Sequence, residues 1–303
     1  MAVPKENNAN EVQDASLASK KEESQLRAIS RRFFRNKAAV FGISVLGVLY
    51  LIAILAPLLA PYPLEYLEVT MRRLPPLTPG HWLGTDHLGR DVLARMIWGS
   101  RISLSVGFIS MFISITLGTV WGAIAGYYGG SWLDIGMMRV AEAIDLIPVY
   151  FLLITIVAVF KPNIGLTMLI IGLTSWPGVA HLVRGQFLTL RERDYAQASR
   201  ALGASDRRLI FRHILPNAAA PIIVSATLRI GNGIMTESGL SFLGFGTQPP
   251  QVSWGQMVAL GRNYLRETPW TAMYPGLAIL ITVLCFNFFG DGLRDAMDPK
   301  MKR

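Results

Sequence analysis

The chain has 303 residues, of which 51% are hydrophobic and only 16% are charged, with a net charge of +9. Soluble proteins carry about a quarter charged residues, so the composition favours a membrane protein over a soluble globular one. The basic residues lie beside long apolar runs and form no nucleic-acid-binding motif, which favours an anionic membrane surface over nucleic acid as their partner.

Cysteine and histidine content limits the chemistry of the chain. Cys285 is the single cysteine, so an intrachain disulfide and a cysteine-based metal site are both excluded. The four histidines are scattered, and no HExxH motif occurs. The sequence therefore predicts that this chain holds no metal and no cofactor of its own.

The amino-terminal region precedes the first apolar run. Residues 1–25 are rich in Asn, Glu, Lys, Ser and Gln, which predicts a disordered cytoplasmic tail. Residues 26–37 mix arginines with Leu26, Phe33 and Phe34, which predicts an amphipathic helix on the inner membrane surface. A simple positively charged stop beside the first span is an equally good interpretation.

Six segments are long and apolar enough to cross a bilayer as helices, which takes about 20 residues each. They are 38–60, 102–133, 140–160, 163–183, 214–237 and 268–290. The first is longer than the core of a cleaved signal peptide and is predicted to be a retained anchor. Twenty of the 29 Lys and Arg residues fall on one side of this arrangement and eight on the other. The bias predicts that both termini lie in the cytoplasm.

Residues 61–100 form a proline-rich connector outside the membrane. Within it, Asp86 and Asp91 are predicted to cap a short helix over 91–99 or to pair with Arg90 and Arg95.

The second span carries Gly118, Gly122 and Gly126 at four-residue spacing. Such a stripe lets two helix backbones approach closely and predicts a helix–helix seam. Prolines in or beside four of the spans predict kinks, which suit a moving transporter.

Charged residues inside apolar runs are costly and by default face the bundle interior or a cavity. Glu142 and Asp145 lie near the cytoplasmic end of their span, where exposure at the interface explains them. Arg229 and Glu237 are eight residues apart and are predicted to share a helix face. We interpret them as possible cavity-facing charges, with salt links to other helices favoured over contact with a substrate.

The loop between the fourth and fifth spans has a helix–bend–helix pattern. Asp194 can cap a helix that runs to Leu202, and Gly203 ends it, as glycine does at helix carboxyl ends. Ser205 or Asp206 begins a second helix, and a proline further on closes it or opens the next span.

This loop resembles the EAA loop of ABC-importer permeases, which reads Glu-Ala-Ala, three residues, Gly, nine residues and a Leu-Pro end. Gln197, Ala198 and Ser199 hold the first three places here, and Gly203 and Leu215-Pro216 match at the right distances. Gln for Glu, Ser for Ala and His213 for the usual Ile are departures from the pattern.

Two further segments, Leu-Gly-Thr-Asp at 83–86 with Gly-Arg-Asp at 89–91 and Glu-Ser-Gly-Leu-Ser-Phe-Leu-Gly at 237–244, also carry a resemblance. They are similar to signatures of the dipeptide/oligopeptide/nickel permease family, in its second, C-type subunit. The resemblance implies an all-α polytopic membrane protein with six transmembrane helices and the type I ABC-importer permease fold. It also implies a path for dipeptides and oligopeptides, formed with a second permease.

In that family a short loop helix docks on the ATPase subunit, and residues 201–207 would be the docking element here. The residues that the resemblance assigns to ATPase coupling are Gln197, Ala198, Ser199, Ala201, Leu202, Gly203, Ala204, Ser205, Asp206, Leu215 and Pro216.

The resemblance also implies partners: a second related permease, two ATP-binding subunits and an extracytoplasmic solute-binding protein, in the cytoplasmic membrane of a bacterium or archaeon. The chain has no G-x-x-x-x-G-K-[ST] motif, so ATP and Mg²⁺ are expected in the partner subunits and the chain itself is not expected to be an enzyme. The predicted divisions are the tail 1–25, the first span with its flanks 26–100, the permease core 101–290 with the EAA loop 184–216, and a cytoplasmic tail 291–303.

Two other functions remain open on the residues alone. A secondary transporter complete in one chain often shows inverted repeats, and none is visible here. A membrane enzyme would need a catalytic cluster, which the sequence does not offer. The substrate stays open among dipeptides, oligopeptides, nickel chelates, glutathione and oligosaccharides.

Overall fold

The computed structural model describes residues 25–160 and 163–297, and its regular structure in these two stretches is helical. The helices are α1 Gln25–Arg35, α2 Lys37–Ile54, α3 Ala56–Leu59, α4 Val92–Tyr127, α5 Trp132–Asp145, α6 Val149–Val159, α7 Ile164–Leu190, α8 Asp194–Ala201, α9 Asp206–Phe242, α10 Trp254–Gly261 and α11 Trp270–Met297. The all-α expectation is confirmed. The predicted tail 1–25, except Gln25, and the last six residues of the tail 291–303 lie outside the described residues.

Five helices of the described stretches are long and apolar enough to cross a membrane: α2, α4, α7, α9 and α11. The predicted third span, 140–160, is divided into α5 and α6 by a non-helical break at 146–148. Pro148 lies at this break and cannot donate a backbone hydrogen bond, which favours ending one helix before it. Each of the other five predicted spans contains one long helix, although the first, 38–60, is interrupted at Leu55 between α2 and α3.

Helices α4 and α7 pack along the predicted glycine stripe. A Cβ atom at Gly118 would lie 2.4 Å from Cβ of Val179, and one at Gly122 would lie 2.4 Å from the carbonyl oxygen of Ala180. Only glycine lets the backbones come this close. The predicted seam is confirmed, and it joins α4 to the helix that leads into the loop.

Helix α1 is amphipathic, as predicted, and it packs on the end of α11. The Phe33 ring is buried and meets the Phe289 ring edge-on, with centroids 5.6 Å apart. Asn36 caps α2 by accepting hydrogen bonds from the backbone N–H groups of Ala38 and Ala39. The amino end of α2, the first long helix, therefore lies beside the carboxyl end of α11, the last one.

The connector before α4 is held by the acidic residues that the sequence singled out. Asp91 is the N-cap of α4 and also accepts from Nδ1 of His81 at 2.8 Å. Asp86 pairs with Nε of Arg90 at 2.7 Å. The separate helix predicted over 91–99 is wrong, because this segment forms the first turns of the 36-residue α4. The Asp91 cap starts a helix that nothing in the following sequence breaks.

The segment between α9 and α11 folds back and carries α10. Trp254 is buried, and its indole nitrogen donates to the carbonyl oxygen of Met96 at 3.0 Å. Its backbone N–H donates to Oγ of Ser103 at 3.0 Å. These contacts fix the returning segment to the first part of α4, at the end of the bundle opposite the loop that contains α8.

Candidate functional site

The loop around Gly203 consists of α8, a tight bend and the start of α9. Helix α8 ends at Ala201, and Gly203 has a positive φ of 78°. The bend is therefore where the sequence predicted it. The second short helix is not separate from the fifth span, however, since Asp206–Phe242 is one helix with a π-helical stretch at Leu209–Ile214. Pro216 lies in the first turn of the α-helical part and so opens the span rather than closing the loop.

Asp206 ties the bend to the end of α4. Its two carboxylate oxygens accept hydrogen bonds from the hydroxyls of Tyr127, at 2.5 Å, and Tyr128, at 3.2 Å. Arg200 of α8 also donates to the Tyr127 hydroxyl, and this contact raises the pKa of the Arg200 guanidinium above its ordinary value. Sequence reasoning missed both tyrosines, because they lie nearly 80 positions away from Asp206.

The start of the loop rests on two arginine contacts. Nη1 of Arg191 donates to the carbonyl oxygens of Gly126, Tyr127 and Gly129, at and just after the carboxyl end of α4. Arg184 forms a two-pronged pair with the buried Asp134 of α5, at 2.6 and 2.7 Å. The hydrogen bond from Arg184 lowers the pKa of Asp134 below its ordinary value. The loop is thus held in one position relative to α4 and α5.

The inner side of the loop is apolar and buried. Leu209 and Ile214 are 1% exposed and pack with Val183 and Phe187 of α7. A buried underside fixes the orientation of the bend, because turning it over would expose these side chains to water.

The outer side of the loop is open. Leu202 is 88% exposed at the end of α8, an unusual position for a leucine in water. Gln197 is exposed too, and its amide donates to the carbonyl oxygen of Glu192 at 3.1 Å. The other exposed positions of the predicted coupling set are Ala198, Ala201, Gly203, Ser205, Asp206 and Pro216, whereas Ser199, Ala204 and Leu215 are half-buried.

An apolar groove of about 390 Å³ lies beside the loop, between α4 and the first turns of α9. Its walls include Ile115, Val120, Phe211, Leu215 and Ile223. Phe211 is 62% exposed there. The groove gives this end of the bundle a second surface that nothing in the described chain covers.

The two intramembrane charges have different partners. Arg229 donates from Nη1 to the carbonyl oxygen of Ser175 on α7, at 2.6 Å. Glu237 is fully buried, and its Oε1 accepts from the hydroxyls of Ser241, Thr247 and Ser253.

The expectation that Glu237 faces a cavity is therefore wrong, since it fastens the returning segment before α10 to α9. Among residues 25–160 and 163–297, neither charge forms the predicted salt link to another helix. In the described stretches no group of three or more His, Cys, Asp or Glu side chains is placed to hold a metal ion.

Two family models match the chain. Residues 118–303 match the binding-protein-dependent transport system inner membrane component, and residues 24–76 match the N-terminal transmembrane domain of oligopeptide transport permease C. Between them they leave out residues 77–117, which include most of α4.

Several curated relatives are similar over almost their whole length. The oligopeptide transport system permease protein OppC of Haemophilus influenzae is 42% identical, over 94% of this chain and 93% of the relative. The dipeptide transport system permease protein DppC of Alkalihalophilus pseudofirmus is 41% identical, over 91% of this chain and 90% of the relative. The glutathione transport system permease protein GsiD of Pectobacterium atrosepticum is also 41% identical, over 91% of both chains.

A solved structure of the inward-facing MetNI methionine ABC transporter has a chain with the same fold. It superimposes with a TM-score of 0.54 at 21% identity and covers 67% of this chain and 96% of its own. The likeness bears on the fold alone.

Proposed function

The chain belongs to the family of inner membrane components of binding-protein-dependent transport systems, and from this premise we propose that it is the C-type permease of an ATP-driven peptide importer. The observation that carries the proposal is the loop at the Gly203 bend. Its inner side is buried against α7 and hydrogen-bonded to α4, whereas its outer side is exposed. A surface that receives force from a partner needs both properties.

We propose that the exposed tip of this loop, residues 201–207, docks on an ATP-binding subunit. Leu202 is an apolar side chain that a cleft in the partner would bury, and burial of apolar area favours binding. Asp206 and Arg200 lie at the base of the tip and link it to α4 through Tyr127. A movement of the ATPase would thus move α4 together with α9.

Helix α9 supplies a direct mechanical connection across the membrane. Its 37 residues extend about 55 Å at 1.5 Å per residue, more than the roughly 30 Å thickness of the hydrocarbon core. Displacement of the amino end at Asp206 is therefore transmitted to Glu237 and the returning segment. This linkage is how ATP hydrolysis in a partner would open and close a path formed by this chain.

The distribution of basic residues supports an orientation with the loop and both termini in the cytoplasm. The connector 61–91 and the returning segment then face the outside, where a solute-binding protein would deliver its ligand. The membrane would be the cytoplasmic membrane of a bacterium. Two ATP-binding subunits, which hold ATP and Mg²⁺, and a second related permease complete the assembly.

Peptides are the proposed cargo because relatives along nearly the full chain carry oligopeptides, dipeptides and glutathione by name. The three cargoes share peptide bonds and a free carboxylate. A short peptide is thus the chemical class that the chain is expected to pass.

The test is reconstitution of the chain with and without candidate ATP-binding subunits, a second permease and a binding protein. The complete assembly should hydrolyse ATP and take up peptide, and the chain alone should do neither. Ion-driven uptake by the chain alone would overturn the proposal and favour a secondary transporter instead.

A further inference from the structure

One face of α9 is polar along the middle of the membrane span. Ser225, Arg229, Asn232 and Thr236 follow one another at intervals of four, three and four residues, which places them on one side of the helix. Asn232 is exposed, and the other three are half-buried. The Thr236 hydroxyl donates to the backbone carbonyl oxygen of Asn232 and so has its partner within the helix. The Ser225 hydroxyl, the Asn232 side-chain amide and the rest of the Arg229 guanidinium are left to partners outside α9.

The outward faces of α11 and α2 are different. On α11 the exposed side chains in the span are apolar, for example Leu277, Leu280 and Leu284. On α2 they include Phe41 and Leu51. These are surfaces for lipid tails, whereas an exposed amide at this depth has no hydrogen-bond partner in hydrocarbon.

The polar face continues onto α7. The carbonyl oxygen of Ser175 accepts from Arg229, and Gly178 leaves room for the guanidinium, because a Cβ there would lie 2.8 Å from Nη2. One turn further along, Nε2 of His181 is 4.0 Å from a carboxylate oxygen of Asp145. Both side chains are between 40% and 50% exposed.

The helix break at 146–148 adjoins the same surface. Asp145 is the last residue of α5, and Leu146 beside it is 82% exposed. Non-helical backbone within a membrane is tolerated where it borders protein or a water-filled space. The break and the polar face therefore indicate water on the same side of the bundle.

We propose that the aqueous path through which the solute passes is lined by Ser225, Arg229, Asn232, His181 and Asp145. In the single chain this lining is open on one side, and the second permease covers that side. This inference rests on the proposed function. The lining matches a short peptide: the Asn232 amide can pair with a peptide group as donor and acceptor, and the Arg229 guanidinium attracts a terminal carboxylate.

The experiment uses the single cysteine of the chain. Cys285 is buried, and Cys285→Ala gives a version of this chain without thiols. Asn232→Cys is added to this version. Leu284→Cys on the lipid-facing side of α11 is the matched control. The full assembly in vesicles is treated with a charged thiol reagent that does not cross membranes.

Asn232→Cys should react at least about tenfold faster than Leu284→Cys, because the reactive thiolate forms in water and not in hydrocarbon. Excess transported peptide should slow the reaction at Asn232→Cys. Equal, slow rates in an assembly that still hydrolyses ATP and takes up peptide would overturn the lining and leave the proposed function standing. An assembly with the unsubstituted chain that neither forms nor hydrolyses ATP would overturn both.

A second measurement tests the chemistry of recognition. Arg229→Gln should lower uptake of a peptide with a free carboxyl terminus and have little effect on the same peptide with an amidated terminus. An equal loss for both peptides would contradict the role in carboxylate attraction.

Discussion

Gly203 shows how one residue sets the geometry of the loop at 184–216, which we call the coupling loop after its proposed role. Its φ of 78° lies in the left-handed region, and a Cβ built there would meet no heavy atom within 4 Å. The requirement for glycine is therefore conformational and not steric. An ordinary side chain reaches this region at a cost of about 1–2 kcal/mol, and asparagine tolerates it better than most.

Gly203→Ala should lower peptide uptake per ATP hydrolysed by about fivefold, the ratio that roughly 1 kcal/mol represents, because the bend would relax towards other conformations. Gly203→Asn should keep most of the coupling. The measurement is uptake and hydrolysis in the same reconstituted vesicles. Equal losses in both variants would show that backbone conformation is not what the position supplies.

The Asp134–Arg184 pair should make stability depend on acid pH. Arg184 lowers the pKa of Asp134 in the folded chain below its ordinary 3.8. The stabilisation is therefore present above pH 3.8 and is lost as the pH falls through the lower folded value. Thermal unfolding of the solubilised protein should show this loss, and Asp134→Asn should remove that part of the pH dependence.

Glu142→Gln is the control for this pH dependence. Glu142 pairs with Arg139 on the same helix, but both side chains are largely exposed, and such pairs contribute little. A change in the acid profile as large as that of Asp134→Asn would contradict the assignment to the buried pair.

At the level of elements, the seam between α4 and α7 connects the membrane bundle to the loop. The three stripe glycines let these helices touch, and Arg191, directly after α7, then reaches carbonyl oxygens at the end of α4. The contact between α4 and α7 therefore determines where the loop lies. Loosening the seam is expected to displace the loop as well as to destabilise the bundle.

Gly122→Ala should destabilise the protein by about 1–3 kcal/mol, since the new methyl would lie 2.4 Å from the Ala180 carbonyl oxygen. Gly47→Ala on α2 is the matched control, because a Cβ there meets nothing within 4 Å. Thermal unfolding in detergent compares the two. An unfolding temperature that is unchanged in Gly122→Ala would contradict the close approach.

At the level of the whole molecule, the two ends of the bundle present different surfaces. One end carries the coupling loop, with Leu202 at its tip and the apolar groove beside it. The other carries the connector, where Leu77 is 79% exposed. In the proposed orientation, the ATPase meets the first surface and the binding protein the second.

Leu202→Asp should weaken association with the ATP-binding subunits, because it replaces an apolar contact with a charge that the partner would have to desolvate. The stability of the chain itself should not change, as the side chain is 88% exposed. Co-purification of the subunits measures the effect. Leu77→Asp, equally exposed at the opposite end, should leave co-purification intact, and equal losses in both variants would contradict docking at the loop.

Much of the helical plan could be predicted from the sequence, because membrane spans and helix ends depend on local composition. Five of the six predicted spans correspond to long apolar helices, and the bend lies at Gly203. The glycine stripe of α4 predicted a seam, since four-residue spacing alone places small residues on one face. The match to the family is likewise a property of residue order.

Contacts between distant residues were decided by the tertiary structure. Tyr127 and Asp206 are 79 positions apart, and only the packing of α4 on α7 brings them together. The sequence leaves open whether Glu237 faces water. The returning segment buries it and supplies the hydroxyls of Thr247 and Ser253 as hydrogen-bond donors. The break before α6 lies in an apolar run whose hydropathy predicts a single span. Local composition determines which segments form membrane-spanning helices. The burial and the hydrogen-bond partner of each polar group depend instead on the segments that pack against it.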